Sequence, residues 1–136
     1  MLIKDILQIA VETEASDVFI VSGCPVTMKI GSQISPIDTA ILKPNDTHVL
    51  ITEIYTLQDN RNIKPLESLG DDDFSFSISG LGRFRCNAYK QRGSLACVIR
   101  IVAIDLPDFQ MLNIPQTVME LSTQKKGLVL ITGPAG

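Results

Sequence analysis

Two alternating runs of residues flank Arg92-Gly93, and this stretch, from Gly82 to Arg100, constrains the possible fold more than any other. Apolar and polar residues alternate on both sides, which is typical of strands with one buried face. Glycine tolerates the positive φ of tight turns, so Arg92-Gly93 predicts the turn of an antiparallel hairpin. With a loop of two or four residues, Arg85 faces Arg100 directly across the two strands, whereas a three-residue loop would break this register.

The predicted hairpin concentrates positive charge in a chain whose net charge is -3. It holds five of the twelve basic residues and no acidic one. Like charges placed opposite one another destabilise a hairpin, so Arg85 and Arg100 are either fully solvated or hold an anion between them. Guanidinium groups suit phosphate oxygens in particular. The sequence leaves both readings open: an anion site, or an outer face of solvated charged side chains.

Composition excludes several classes of protein. A chain of 136 residues, 45% hydrophobic and 20% charged, is long enough for a domain with a real core. The absence of Trp and the pI near 5.0 argue against a general nucleic-acid binder. No run of eighteen apolar residues predicts a membrane span, and the N-terminus does not read as a signal peptide.

The three cysteines form no C-x-x-C pair, and their odd number favours the cytoplasm, with each cysteine as a small core residue. In the predicted register, Cys86 and Cys97 share the apolar face but lie diagonally. Diagonal Cβ atoms are roughly 7 Å apart, which is too far for a disulfide without backbone movement.

The residues before the hairpin predict an alternation of helices and short strands. An amphipathic helix is predicted over residues 2–14, a strand over residues 17–21, and a meander of short strands as far as Pro36. Asn45 or Asp46 is expected to cap a second helix. Its inner stripe is predicted to contain Val49, Leu50, Ile54 and Leu57. A further helical turn is expected to end at Gly70.

Three aspartates, Asp71, Asp72 and Asp73, precede the strictly alternating strand 74–78. Adjacent carboxylates alternate faces along a strand and cannot all converge on one ion, so we predict no metal site here. We expect a solvated entry to the strand, or carboxylates that pair with nearby arginines. His48, the single histidine, is predicted to lie on the surface of the second helix.

The last third of the chain predicts a different kind of structure. Residues 104–108 read as a linker, and Pro115 suits the first turn of a helix that runs to about Gln124. The unbroken apolar run 128–132 is typical of a strand buried on both faces of a parallel sheet. This run is followed by Gly133, Pro134, Ala135 and Gly136. These four residues match the start of a phosphate-binding loop, whose pattern is G-x-x-x-x-G-K-[S/T].

Four blocks of residues together resemble the type IV pilus retraction ATPase (PilT) family, within the type II/IV secretion ATPases. They are Ala15-Ser16-Asp17 with Ser22-Gly23, Asp73-Phe74-Ser75-Phe76-Ser77, Gly80 to Ala88 with Gln91-Arg92-Gly93, and Gly127 to Gly136. The resemblance implies an α+β fold: a PAS-like N-terminal domain over residues 1–102 with an antiparallel sheet and flanking helices. A linker over residues 103–114 and the start of a RecA-like α/β ATPase domain over residues 115–136 would follow.

The resemblance also implies a function. Family members are homohexameric cytoplasmic motors, peripheral at the inner face of the cell membrane, that bind ATP and Mg²⁺ and act on type IV pili with inner-membrane platform proteins. Neither a nucleic acid nor a membrane span is implied. At the matching positions, Arg85 and Arg100 would be arginine fingers that reach the phosphates from the N-terminal domain, with Arg83 as a further candidate. Gly133 to Gly136 would begin the nucleotide-binding Walker A loop.

Departures from the family pattern leave alternatives open. The family usually has a His where this chain has Phe19, and a Pro-Pro pair is reduced to Cys24-Pro25. The chain is therefore expected to be part of a retraction motor, of a pilus-assembly or type II secretion relative, or, in another class, a PAS-like sensor or docking module that binds a protein through its basic hairpin. Without the Lys and hydroxyl of the phosphate loop, these 136 residues alone are expected not to hydrolyse ATP.

Overall fold

The computed structural model describes residues 1–102, 109–110 and 112–133. It divides into two compact units, Met1–Ile104 and Asp105–Gly136. The prediction of an α+β fold with an antiparallel sheet and flanking helices is confirmed by the first unit. None of the helices in the described part of the chain is both long enough and apolar enough to cross a membrane.

A six-stranded antiparallel sheet forms the centre of the first unit. Its strands, in chain order, are β1 (Asp17–Ile20), β2 (Thr27–Ile30), β3 (Gln33–Pro36), β4 (Asp71–Ile78), β5 (Gly82–Gln91) and β6 (Ser94–Val102). Their order across the sheet is β3-β2-β1-β6-β5-β4, and every neighbouring pair is antiparallel. The first strand, β1, therefore pairs with the last strand, β6, and this pairing brings together residues from the two ends of the unit.

Helices cover one face of this sheet. They are α1 (Ile3–Glu12), α2 (Pro44–Leu57) and the short α3 (Lys64–Leu69), which ends at Gly70 as predicted. They share one hydrophobic core with alternate residues of the strands, including Val18, Phe84, Cys86 and Ile99. The opposite residues of β1, β5 and β6, among them Arg85 and Arg100, lie on a face that no helix of this unit covers. We call this surface the open face.

The second helix differs from its prediction in two respects. It begins at Pro44, and the Asp46 carboxylate accepts a 2.8 Å hydrogen bond from the backbone N–H of Lys43, so Lys43 rather than Asn45 or Asp46 is the N-cap. The buried stripe contains Thr47, Leu50, Ile51, Ile54 and Tyr55, at the i, i+3, i+4 spacing of one helix face. Val49 falls outside that stripe and is exposed, so its assignment to the core was wrong.

The β5–β6 hairpin has the predicted two-residue turn. Arg92 and Gly93 have φ values of 48° and 82°, which are those of a type I′ turn. Gln91 pairs with Ser94, and Arg85 pairs with Arg100, so the predicted register is confirmed. Because the register is fixed, alternate residues from Phe84 to Ala88 face the core.

The cysteines follow the prediction in two cases out of three. Cys86 and Cys97 are fully buried and diagonal, since Cys86 pairs with Ile99 and Cys97 with Ala88. Cys24 is exposed because it lies in the loop between β1 and β2, so its assignment to the core was wrong.

Within its described residues, the second unit contains one short helix, α4 (Gln116–Glu120), followed by a 3₁₀ turn (Leu121–Thr123). Pro115 is the residue that precedes this helix, and the helical region ends within one residue of the predicted limit. Most of the linker predicted over residues 103–114 lies outside the described residues.

The strand predicted over residues 128–132 is absent from the structure. These residues form no ladder, and the side chains of Leu128 and Ile131 are 82% and 85% exposed. A strand buried on both faces needs neighbouring strands to bind its backbone groups, and no described residue supplies one. Gly133 is described, whereas Pro134, Ala135 and Gly136 of the predicted phosphate loop lie outside the described residues.

Candidate anion-binding site on the open face

A row of charged residues crosses the open face of the first unit. Arg100 on β6 pairs with Arg85 on one side and with Asp17 of β1 on the other. Asp17 in turn pairs with Lys29 of β2. Cross-strand partners have Cβ atoms about 5 Å apart, so the two arginines are direct neighbours at the centre of the sheet.

Arg85 is bound by an aspartate of the neighbouring strand. Its Nε and Nη2 atoms donate hydrogen bonds of 3.0 and 2.9 Å to the two carboxylate oxygens of Asp73. The hydrogen bond from Arg85 lowers the pKa of the Asp73 carboxyl below its usual value. The side chain of Arg85 nevertheless remains 61% exposed. The pair is therefore a two-point ion pair at the surface, accessible to solutes.

Arg100 is bound differently, by an aspartate from the other end of the unit. Its Nε donates one 3.1 Å hydrogen bond to Oδ1 of Asp17. The Ser16 hydroxyl donates a 2.9 Å hydrogen bond to the other oxygen, Oδ2. The Asp17 side chain is only 11% exposed, while that of Arg100 is 69% exposed. The carboxylate is thus fixed from two sides, and the guanidinium group projects from it into solvent.

A shallow groove of about 280 Å³ lies between these two ion pairs. Its lining consists of Asp17, Asp73, Arg85, Asn87, Val98 and Arg100. Asn87 and Val98 are cross-strand partners one step along the hairpin, so the groove spans two rungs of the sheet. The exposed amide of Asn87 adds a neutral donor beside the two guanidinium groups. This combination of donors can bind a phosphate group.

The arrangement also shows how the chain accommodates its opposed arginines. The sequence offered two possibilities, full solvation or an anion between the side chains. The structure has a third, in which each arginine has its own carboxylate on the strand beyond it. The two positive and two negative charges cancel, so the pair persists without a bound anion. Both guanidinium groups remain accessible.

The other residues singled out in the sequence lie away from this groove. Arg83 is on the open face, opposite Ser77 and Val102, but does not line the groove. Two of the three aspartates pair with arginines, which was one of the two expectations: Asp72 binds Arg61 and Asp73 binds Arg85. Asp71 is exposed at the start of β4, which was the other expectation. Among the described residues, no three His, Cys, Asp or Glu side chains come together as metal ligands.

Sequence reasoning found the two arginines but missed the roles of Asp17, Asp73 and Asn87. Asn87 could have been found, because it lies two residues from Arg85 and therefore on the same face of the strand. Asp73 could have been assigned only as a partner of some arginine. Asp17 lies in a block of the family resemblance, but nothing there indicated its contact with Arg100. The two residues are 83 positions apart in the chain and become neighbours only through the pairing of β1 with β6.

Comparisons with known proteins give matches that extend over nearly the whole chain, although no protein-family model matches it. PilU, a type IV pilus ATPase of Pseudomonas aeruginosa, is 29% identical over 133 residues, which are 98% of this chain and 34% of PilU. The type IV pilus retraction ATPase PilT of the same organism is 29% identical over 134 residues, which are 98% of this chain and 38% of PilT. The chain thus spans 34% and 38% of the length of these two curated relatives.

Solved structures agree with these matches. A crystal structure of the pilus retraction motor PilT with bound ADP has a TM-score of 0.78 and 38% identity, and the match covers 98% of this chain and 38% of that one. The ATPase DotB of Legionella pneumophila has a TM-score of 0.62, with 100% of this chain and 38% of that one covered. Its identity of 23% indicates a shared fold and nothing more.

Proposed function

Because the chain is a PilT-like part of the type II/IV secretion ATPase family, we propose that Arg85 and Arg100 contact the terminal phosphate of ATP in a pilus retraction motor. The observation that carries this proposal is the pairing of the two arginines on adjacent strands of the open face, with exposed guanidinium groups around one groove. ADP bound to the related PilT structure supports a nucleotide as the anion.

The proposal extends to the organisation of the longer motor. Residues 1–102 would form the PAS-like domain and residues 115–136 the start of a RecA-like domain, joined by a linker over residues 103–114. The motor would be a homohexamer, cytoplasmic and peripheral at the inner membrane face, that works with platform proteins of the pilus. Gly133 to Gly136 would begin the phosphate loop. Mg²⁺ would be bound together with ATP and would help to neutralise the charge of its phosphates.

The chemistry follows from the charges. Phosphoryl transfer spreads negative charge over the γ-phosphate oxygens, and a guanidinium group stabilises that charge through directed hydrogen bonds. The guanidinium groups of Arg85 and Arg100 would bind these oxygens, and Asn87 would add a neutral hydrogen bond. Arginine fingers of this kind contribute on the order of 10³-fold or more to the rate. Their removal should therefore reduce turnover more than it reduces binding.

A chimaeric motor tests this function. The chain replaces the matching residues of Pseudomonas aeruginosa PilT, and ATP turnover and nucleotide affinity are measured for the chimaera and for its Arg85→Ala and Arg100→Ala variants. Lys4→Ala, which removes an exposed charge from α1, serves as the control. We expect the Arg100→Ala chimaera to bind ATP and lose most of its turnover, while Lys4→Ala keeps it. Normal turnover in Arg100→Ala would contradict the proposal.

The same variants separate the motor from a docking module. A module that binds a protein partner through its basic hairpin predicts no change in the affinity for an ATP analogue when Arg85 is replaced. A phosphate contact predicts that Arg85→Ala lowers the affinity of the chimaera for a triphosphate analogue and leaves its affinity for ADP nearly unchanged, because ADP lacks the γ-phosphate. Calorimetric titration of both ligands distinguishes the two outcomes.

A further inference from the structure

The two arginines of the groove are held unequally. Arg85 uses both Nε and Nη2 to bind the two oxygens of Asp73. Arg100 uses Nε alone, and within the described residues neither of its Nη atoms makes a hydrogen bond. Both Nη groups of Arg100 are therefore available to a new ligand, whereas the edge of Arg85 formed by Nε and Nη2 is occupied until Asp73 is displaced.

The two aspartates that bind these arginines also differ in how firmly the protein holds them. Asp17 is nearly buried, and the Ser16 hydroxyl binds the oxygen that Arg100 leaves unused. Asp73 is 43% exposed, and within the described residues Arg85 is the only side chain to which it is hydrogen-bonded. A carboxylate fixed by the protein orients the guanidinium group it binds. An exposed carboxylate competes with any anion that approaches the same group, because exposed ion pairs are weak and easily exchanged.

We propose that Asp17 is a positioning residue that holds Arg100 ready for a phosphate group, and that Asp73 is a competing partner from which Arg85 is displaced when the phosphate enters. This inference rests on the proposed function, since it takes the anion of the groove to be a phosphate. It assigns opposite effects to two aspartates that carry the same charge and flank the same groove. Arg100 would make the first contact, and Arg85 would follow.

The opposite effects provide the test. Asp17→Asn and Asp73→Asn each remove one negative charge near the groove, so electrostatic attraction alone predicts tighter anion binding in both. Positioning by Asp17 predicts instead that Asp17→Asn weakens binding, because Arg100 loses its charged anchor. Asp71→Asn is a matched control, because it removes the same charge from the same strand, β4. Asp71 is exposed and lies two residues from Asp73, so it is on the same face of the sheet, but it does not line the groove.

The measurement is a titration of the 136-residue chain with inorganic tripolyphosphate at constant ionic strength, followed through the Nε–H resonances of Arg85 and Arg100. The set comprises the wild-type chain, the three aspartate variants, and Arg85→Ala and Arg100→Ala. For Asp73→Asn we expect an apparent Kd about two- to fivefold lower, the size of effect that an exposed ion pair supports. For Asp17→Asn we expect an apparent Kd that is higher by a similar factor. We also expect the Arg100 resonance of this variant to differ from that of the wild-type chain before any anion is added.

The outcomes separate this inference from the function on which it rests. If both arginine variants weaken binding but Asp17→Asn and Asp73→Asn change it in the same direction, the inference is wrong and the phosphate site stands. If neither arginine variant weakens binding, or the wild-type chain shows no response, the phosphate site itself is wrong. If Asp71→Asn tightens binding as much as Asp73→Asn, general electrostatics accounts for the gain and competition by Asp73 is rejected.

Discussion

The hydroxyl of Tyr55 donates a 2.8 Å hydrogen bond to Oδ2 of Asp72, the oxygen that also accepts a 3.0 Å hydrogen bond from Nε of Arg61. Nη2 of Arg61 binds the other oxygen at 2.8 Å, and its guanidinium carbon lies 4.9 Å from the centre of the Phe74 ring. This cluster joins the end of α2 and the loop after it to β4. Burial and the hydrogen bond to a carboxylate both raise the pKa of Tyr55, so the phenol stays protonated.

Loss of the Tyr55 hydroxyl should lower stability measurably. The Tyr55→Phe variant keeps the ring, which packs edge-on against Phe74, and removes only the hydrogen bond to Asp72. Hydrogen bonds to charged groups contribute about 1.5 to 3 kcal/mol, so we expect the free energy of unfolding to fall by about 1.5 kcal/mol. Urea denaturation at neutral pH checks this. Equal stability of the variant and the wild-type chain would show that the bond has no net effect.

The same cluster predicts how stability depends on acid. The hydrogen bond from Arg61, and then that from Tyr55, lower the pKa of Asp72 in the folded chain. The unfolded chain, with an ordinary aspartate pKa of about 3.9, therefore binds more protons as the pH falls. The contribution of Asp72 is complete above that value and is lost as the pH falls through the lower, folded pKa.

Replacing Asp72 should consequently flatten the acid side of the stability profile. The Asp72→Asn variant is expected to lose less stability than the wild-type chain when urea denaturation is repeated from pH 7 down to about pH 3. Asp71→Asn, one residue away, is the control for the removal of one charge. A profile for Asp72→Asn as steep as that of the wild-type chain would contradict the assignment.

The three thiols should differ sharply in reactivity. Cys86 and Cys97 are fully buried, and the hydrogen bond with Cys86, together with burial, raises the pKa of Cys97 well above its ordinary value. Burial keeps a thiol reagent from both side chains, and the raised pKa leaves Cys97 with little of the reactive thiolate, so both should resist a reagent that labels the exposed Cys24 quickly. Mass spectrometry should find one rapid label in the native chain and three in denaturant. Rapid labelling of the native Cys24→Ser variant would contradict the structure.

The hairpin turn offers a stabilising substitution. Arg92 has a φ of 48°, which costs energy for a residue with a Cβ atom, while Asn tolerates this region better. Arg92→Asn creates the Asn-Gly pair preferred in type I′ turns, so we expect a gain of about 0.5 kcal/mol in the free energy of unfolding. Gly93→Ala, at a φ of 82°, should destabilise by a larger amount. Thermal denaturation of both variants checks the opposite signs.

The sequence predicted the arginine pair because everything that determines it is local. Alternation from Phe84 to Ala88 sets the face, and Gly93 sets the turn, so the register between Arg85 and Arg100 follows from a few neighbouring residues. The aspartates that bind these arginines depend instead on which strands become neighbours. Asp17 lies beside Arg100 because β1 is inserted next to β6, and the local pattern of β1 contains no sign of that partner.

Two of the three errors about buried residues, those at Val49 and in the run 128–132, have a common physical cause. Val49 and the run 128–132 are apolar, and hydrophobicity alone predicts burial for both. Val49 is exposed because the start of α2 at Pro44 directs the stripe of Thr47, Leu50 and Ile54 towards the sheet. The run 128–132 forms no strand because a ladder requires backbone partners as well as apolar side chains. Burial is thus a property of the neighbours as much as of the residue.

The position of the arginines within the sheet has a mechanical consequence. Arg85 and Arg100 are attached to β5 and β6, which are hydrogen-bonded to each other from Arg83 to Val102 and held between β4 and β1. A displacement of the backbone at either arginine is therefore opposed by the hydrogen bonds of four neighbouring strands, rather than by a flexible loop alone. These strands share their core with α1 and α2 on the opposite face, so a load on the arginines would be shared by the whole first unit.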